Sequence, residues 1–286
     1  MDETKNVVVY TAVFDDYDVV LDPQPIEKSV DYICFTDNPG AIPEAWETRQ
    51  VSFPHLSPKL KSGKVKCHPH EFLSEYEKSV WVDANIAIIG KMSSLYSSVL
   101  EDVNLGVPAH RSRDCLYEEA EVCVEHGIAD PEVTRNQMDR YRKAGFPSNF
   151  GLSETRVLVR NHMRPEIKEA MQLWWEEYRS GAERDQLSFE YAMWESGVPY
   201  HQLPPDITVD SQFFKYYPHK VDIVGNQLYD ALLRGRWNAN STGEYFLSRL
   251  ILPIYLSIMP AARAARVFRN KGAKEVIKRF NNRYLQ

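Results

Sequence analysis

Apolar and polar positions alternate in blocks along the first half of the chain. "NVVVYTAVF" is rich in β-branched and aromatic residues and stops at the polar "DDYD", which predicts a buried first strand. "VDYICFTD" predicts a second strand, stopped by Asn38-Pro39-Gly40, and "WETRQV" a short third. "LSPKLKSGKVKCHPHEFL" is basic and histidine-containing, with Gly63 and Pro69 as breaks, and leads into the strand Val80-Trp81-Val82; its "KVKCHPHEF" part either brings cations to a diphosphate or is a solvated basic loop. Later, "NLGVPA" predicts another strand, and "TRVLVR" alternates as a strand with one wet face would.

The middle of the chain carries a helical period. Leu116, Ala120, Cys123 and Val124 keep it up to Gly127, and Asp130-Pro131 supplies an N-cap and first-turn pair for a helix through Tyr141, closed by Gly145. After Pro165, the residues Ile167, Met171, Trp174 and Tyr178 share one helical face up to Gly181, and Leu187, Tyr191 and Trp194 repeat the pattern up to Gly197. These aromatics read as core. Strands alternating with helices predict an α/β fold with a mixed, mainly parallel sheet flanked by helices. The cluster of Asn, Ser, Thr and Gly in "RWNANSTGEYF" predicts a boundary, giving a main domain over 1–237 and a basic, helical C-terminal appendage over 238–286.

Composition adds little to the fold and more to the partners. At 43% hydrophobic and 12% aromatic residues the chain has ample core material. Its formal net charge of −6 is uneven: from Arg263 onward, basic residues face Glu275 alone, so the body is acidic. That excludes general nucleic-acid binding and leaves the tail, with Val267, Phe268, Val276, Ile277 and Phe280 among its basic residues, for an anionic membrane surface. "FLSRLILPIYLSIMP" is interrupted by Arg249, Pro253 and Pro260 and is shorter than the roughly 20 apolar residues of a spanning helix. "MDETKNVVVYTAVF" lacks the basic start of a signal peptide, and Cys34, Cys67, Cys115 and Cys123 form no C-x-x-C pair. The expectation is a cytoplasmic protein with reduced thiols, peripheral at the inner face of a membrane.

The chemistry begins in "SVWVDANIAIIG". A carboxylate and a carboxamide two residues apart interrupt a segment that is otherwise apolar. At the C-terminal end of a parallel strand they would stand where open α/β sheets bind ligands. In extended backbone Asp83 and Asn85 leave the same face, and two oxygen ligands suit a hard divalent ion that completes its shell with water and phosphate. The plain alternative is a tight turn, in which Asp and Asn are favoured. Lys64, Lys66, His68 and His70 precede this strand, and His110, Arg111 and Arg113 follow another. Asp185 and Gln186 open a helix, where Asp185 also suits a capping role, and His219 stands next to Lys220.

In order along the chain, "VYTAVFDDYD", "VDYICFTDN", "KCHPHEF", "SVWVDANIAI", "AHRSRDCLYEEAE", "QMDRYRKAGFP", "GLSETRVLVRNH" and "MQLWWEEYRSGAERDQLSFEYAMW" resemble the TOD1/MUCI70 glycosyltransferase-like domain family over about residues 6 to 220. The resemblance implies a GT-A-like fold and a retaining, hexosyltransferase-like enzyme that uses a nucleotide sugar, a UDP-sugar first among them, with Mn²⁺ or Mg²⁺. It implies metal binding at Asp83 and Asn85, with Asn85 standing where a second Asp is usual, and at His219 as the late histidine. It places Tyr10, Thr11, Ala12, Asp15 and Asp37 against the nucleotide, Lys66 and His70 against the diphosphate, and Asp185 or Gln186 near the anomeric carbon. The acceptor it implies is a glycan or a lipid-linked or other envelope molecule, as in polysaccharide biosynthesis. Two rival readings stand beside it: a metal-dependent hydrolase built on His68, His70, His110 and Asp83, and a catalytically silent module that only binds nucleotide sugars.

Overall fold

The computed structural model describes residues 6–220, 226–237, 250–255 and 257. Most of the basic tail lies outside these residues, and so does the membrane-docking expectation placed on it. Contacts divide the chain into two compact units: one comprises Met1–Asp16 and Asp22–Tyr217, the other Tyr17–Leu21 and the chain from Pro218 onward. This division falls ahead of the boundary expected at Asn238.

In the larger unit, seven strands form one sheet in the order β3-β2-β1-β4-β7-β6-β8. The strands are β1 (Val7–Val13), β2 (Asp31–Thr36), β3 (Glu47–Arg49), β4 (Lys78–Val82), β6 (Leu105–Pro108), β7 (Val157–Arg160) and β8 (His201–Leu203). All neighbouring pairs run parallel except those of β7, which is antiparallel to both β4 and β6. The expected mixed, mainly parallel sheet flanked by helices is observed. Two further strands, β5 (Ile86–Ile88) and β9 (Phe214–Tyr216), pair with each other in a separate small sheet.

The period-2 pattern of β1 sends Val8, Tyr10, Ala12 and Phe14 into one core, which also takes Trp81 from β4, Leu158 from β7, and Ile167, Met171, Trp174 and Tyr178 from one helical face. That face belongs to α6 (Pro165–Ser180), packed beside α7 (Gln186–Ser196). A second core joins α4 (Leu116–Glu125) to α5 (Pro131–Ala144), where Asp130 caps α5 through Glu132 N and Val133 N and Gly145 closes it at φ 90°. The remaining helices are α1 (Pro58–Cys67), the short α2 (Pro69–Phe72) and α3 (Met92–Val99), with α8 (Asn226–Trp237) in the smaller unit.

Two expectations are corrected here. The basic "SPKLKSGKVKC" is helix α1, not a solvated loop: Ser57 caps it through Leu60 N, Pro58 opens it, and Gly63 is a close-packing point rather than a break. A Cβ on Gly63 would run into the ring of Tyr178 on α6. Strand β7 has no wet face, because all four of its residues are buried. Even Arg160 is fully buried, bonding the carbonyl of Lys66, the Tyr10 hydroxyl and Met171 Sδ.

The four cysteines are free, and among the described residues no helix is long and apolar enough to cross a membrane.

Candidate active site

Parallel strands β1, β2 and β4 end at one rim of the sheet, and antiparallel β7 begins there, since Val157 pairs with Val82. Asp83 leaves β4 at this rim, with its amide donating to the carbonyl of Arg156 (2.9 Å). Its Oδ1 accepts from Trp81 Nε1 at 2.7 Å, so the strand's own indole orients the carboxylate.

The chain does not stay extended beyond Asp83. Ile86 N donates to Asp83 O at 2.9 Å and closes a turn through Ala84 and Asn85, so the same-face argument for Asp83 and Asn85 gives way to the plainer turn. Asn85 is then clamped to the residue after β9: its Nδ2 donates to Tyr217 O and its carbonyl accepts from Tyr217 N, both at 2.9 Å. This accounts for an amide rather than a carboxylate at position 85, because Asp has no donor for the Tyr217 carbonyl. The remaining oxygen, Asn85 Oδ1, is buried without a hydrogen-bond partner.

Lys66 projects from the last turn of α1 into the same place. Its ammonium is 2.6 Å from Asp185 Oδ2, 3.3 Å from Thr155 Oγ1 and 3.6 Å from Asp83 Oδ1, and lies over the rings of Trp81 and Trp174. Burial alone would lower the affinity of this lysine for its proton; Asp185 and Asp83 outweigh it and hold the pKa above the ordinary value. Burial would likewise raise that of Asp185, but Lys66 and Arg184, with the Lys66 and Thr155 hydrogen bonds, hold it well below the usual carboxylate range. Asp185 also caps α7 through Gln186 N (3.0 Å), and its carbonyl accepts from Trp174 Nε1 (2.8 Å). The side-chain amide of Gln186, by contrast, makes no hydrogen bond among the described residues.

At the neighbouring strand ends, Asp15 N reaches both carboxylate oxygens of Asp37 at 3.2 Å, with Asp15 in the left-handed region at φ 55°. Both residues are exposed. Thr11 and Ala12 are buried in β1. Tyr10 is fully buried, with its hydroxyl donating to Lys66 O, so its side chain has no surface to offer a nucleotide.

His70 is not at this rim. Its electrostatic neighbours are His68, Lys168 and Glu71, and it in turn acts on His162, which follows the far end of β7. His162 Nε2 meets the carbonyl of Leu73, ahead of β4, so the group occupies the sheet edge where β4 begins, opposite Asp83. Burial lowers the pKa of His70 to about 4 and of His162 to about 3. His68 is held by Gln172 Oε1 (2.7 Å), and His110 lies 3.9 Å from Glu119. Among the described residues no three of His, Cys, Asp and Glu gather to hold a metal, so the ligand set of the hydrolase reading is dispersed. His219 belongs to the smaller unit, where its Nδ1 lies 2.8 Å from Asp18 Oδ2.

The rim also holds residues that the sequence reading left out. Glu154, Thr155 and Arg156 lead into β7: Thr155 Oγ1 donates to Asp185 Oδ2 (2.8 Å), and Glu154 stands 3.6 Å from both Arg111 and Arg156. The polar run "SET" directly before an apolar strand was the available signal.

The model of the TOD1/MUCI70, glycosyltransferase-like domain family matches residues 44–212, more than half of the chain, which therefore belongs to that family. That span contains Lys66, Asp83, Asn85, Thr155, Asp185 and Gln186. Among solved structures, a WbbM bifunctional glycosyltransferase in its apo form shares 10% identity over 72% of this chain and 39% of its own, with a TM-score of 0.43. The apo form of mouse xyloside xylosyltransferase 1 shares 10% over 69% of this chain and 84% of its own, with a TM-score of 0.41. No curated protein matches the sequence.

Proposed function

We propose that the rim around Asp83 binds a nucleotide sugar and transfers its sugar to an acceptor hydroxyl. The observation that carries this reading is the charge arrangement within the family's domain: Asp83 and Asp185 converge on the one ammonium of Lys66, under a roof of Trp81 and Trp174. Lys66 and Arg184 together balance Asp83 and Asp185 and leave little positive charge to spare, so a nucleoside diphosphate, itself anionic, is best accommodated with a further cation.

In donor type the residues suit one, although the turn takes Asp83 and Asn85 off a shared strand face. The carboxylate of Asp83 and the orphaned Asn85 Oδ1 are hard oxygen ligands, and two protein oxygens with water and phosphate oxygens are a usual complement for Mg²⁺ or Mn²⁺. Such an ion would neutralise charge developing on the departing diphosphate.

The protein's own groups do the positioning. Trp81 fixes the Asp83 carboxylate, and Lys66 keeps Asp83 and Asp185 paired beside the leaving group. Asp185 remains a carboxylate, with its oxygens already accepting from Lys66, Thr155 and Gln186 N, so it serves better as a fixed negative charge near an oxocarbenium-like centre than as a nucleophile. Gln186, with its amide unengaged, is the group for the sugar's own hydroxyls. Exposed Asp37 and Asp15 at the ends of β2 and β1 suit the ribose and base.

We place the reaction at the cytoplasmic face of a membrane in polysaccharide biosynthesis, with a glycan or lipid-linked acceptor, on the support of the basic C-terminal sequence. Incubation with a panel of nucleotide sugars, following release of nucleoside diphosphate with and without Mn²⁺, tests the reading. Turnover of a UDP-sugar is the expected result, and the coupling of the product's anomeric proton by NMR reads whether the configuration is retained. Binding without turnover would leave only the silent module, and indifference to every donor would overturn both.

A further inference from the structure

Glu154 is under-satisfied for a charged group so deep in the rim. Its side chain is 7% exposed, and Oε2 is buried without a hydrogen bond. The cations on either side stand off: Arg111 Nε lies 3.6 Å from Oε1 and Arg156 Nη1 3.6 Å from Oε2, outside the usual hydrogen-bond range of about 2.7–3.2 Å. Buried polar groups are otherwise hydrogen-bonded almost without exception, so an orphaned carboxylate oxygen here asks for a ligand. A carboxylate accepts and does not donate, which makes that ligand a donor of hydrogen bonds.

The position of Glu154 says which side of the reaction it serves. Its neighbour Thr155 is bonded to Asp185 and Lys66, and the carbonyl of Arg156 accepts from Asp83 N, so it adjoins the nucleotide-sugar cluster. Ser153, on its other side, bridges to Ala109 beyond β6, and Glu154 N donates to Pro108 O. The residue therefore flanks the donor cluster on the β6 side. The guanidinium of Arg156 covers the ring of Tyr216, 5.1 Å from its centroid, and Tyr216 pairs with Ile86, so contacts link the segment of Glu154 to the turn that carries Asn85.

We propose that Glu154, braced between Arg111 and Arg156, binds hydroxyl groups of a neutral sugar acceptor and so selects the acceptor. This rests on the reading of the rim as a nucleotide-sugar site. A carboxylate or phosphate on the acceptor has no hydrogen to donate to Glu154 and carries the same charge, so a neutral sugar is preferred at this oxygen.

Saturation-transfer NMR with methyl glucoside, methyl galactoside, methyl mannoside and methyl glucuronoside, each with and without UDP and Mg²⁺, tests the assignment. Wild-type protein is expected to bind at least one neutral glycoside in preference to the glucuronoside. Glu154→Gln is expected to weaken that binding about tenfold or more, with UDP binding unchanged. If that variant unfolds, Glu154→Asp, which keeps the charge but withdraws it by one methylene, must show the same loss. Wild-type protein that binds none of the neutral glycosides or prefers the glucuronoside overturns the assignment, as does a variant that binds them equally well. Failure of UDP to bind the wild type bears on the nucleotide-sugar reading instead, and the titrations without UDP still judge Glu154.

Discussion

The ammonium of Lys66 lies 2.6 Å from Asp185 Oδ2, joining the end of α1 to the start of α7 across the rim where β4 ends. Lys66 is 4% exposed, so neither water nor mobile counter-ions screen this contact appreciably. The same ammonium is 3.6 Å from Asp83. One cation thus stands between both carboxylates that the proposed chemistry uses.

Lys66→Met should be damaging in two separable ways. Removing one partner of a buried pair leaves Asp185 with Arg184 and its hydrogen bonds alone, which costs about 3 kcal/mol in urea denaturation. Donor turnover, measured well below the denaturation midpoint, should fall by about two orders of magnitude because the charge beside the leaving group is gone. Full activity in a folded Lys66→Met protein would remove Lys66 from the mechanism.

The buried histidines at the opposite sheet edge predict the acid response of the fold. Burial depresses His70 to about 4 and His162 to about 3, against an ordinary value near 6.5. The unfolded chain takes up protons that the native state refuses, so stability is complete above about pH 6.5 and declines as pH falls from there through the folded values. Urea midpoints measured across pH 7 to 4 should decrease steadily. In His162→Gln the decline should be shallower, and an unchanged slope would show that His162 does not contribute to it.

Gly63→Ala tests the helical packing of the basic segment. The new methyl group would press on the buried ring of Tyr178, so about 1–3 kcal/mol of stability should be lost, although alanine is the better helix former. A solvated loop would show no such loss. Thermal or urea denaturation distinguishes the two.

Asn85→Asp isolates the reason for the amide in the Asp-x-Asn pair. The substitution replaces the donor to Tyr217 O with a carboxylate oxygen and adds a charge at a site that is 5% exposed. The melting temperature should fall without divalent cations and recover with added Mn²⁺ by more than the wild type gains. Equal shifts in both proteins would mean that no ion sits at this position.

Much of the fold was legible because its strands and helices carry clean periods: the apolar run of β1, the Asp130-Pro131 start and Gly145 stop of α5, and the Ile167 to Tyr178 face of α6. Helix α1 was hidden because its surface is basic and its glycine looked like a break, when the ring of Tyr178 is what requires a glycine there. Asp83, Lys66 and Asp185 are drawn together from distant parts of the chain; residue type pointed to metal or phosphate chemistry at Asp83 and Lys66, and the family resemblance brought in Asp185. Glu154 and Arg156 escaped notice because period-2 patterning gives no strand direction. Only the antiparallel run of β7 brings the segment before that strand to the rim where the parallel strands end. His70 was misplaced for a related reason: it follows α1 closely in sequence, but α2 carries it to the sheet edge where β4 begins.

Calorimetric titration of UDP into wild-type protein and Asp83→Ala, each with Mn²⁺, tests the central claim most directly. The account predicts saturable binding to the wild type and affinity at least about tenfold weaker in the variant, since the carboxylate that would share the cation is lost. Equal affinities for UDP in the two proteins would contradict it.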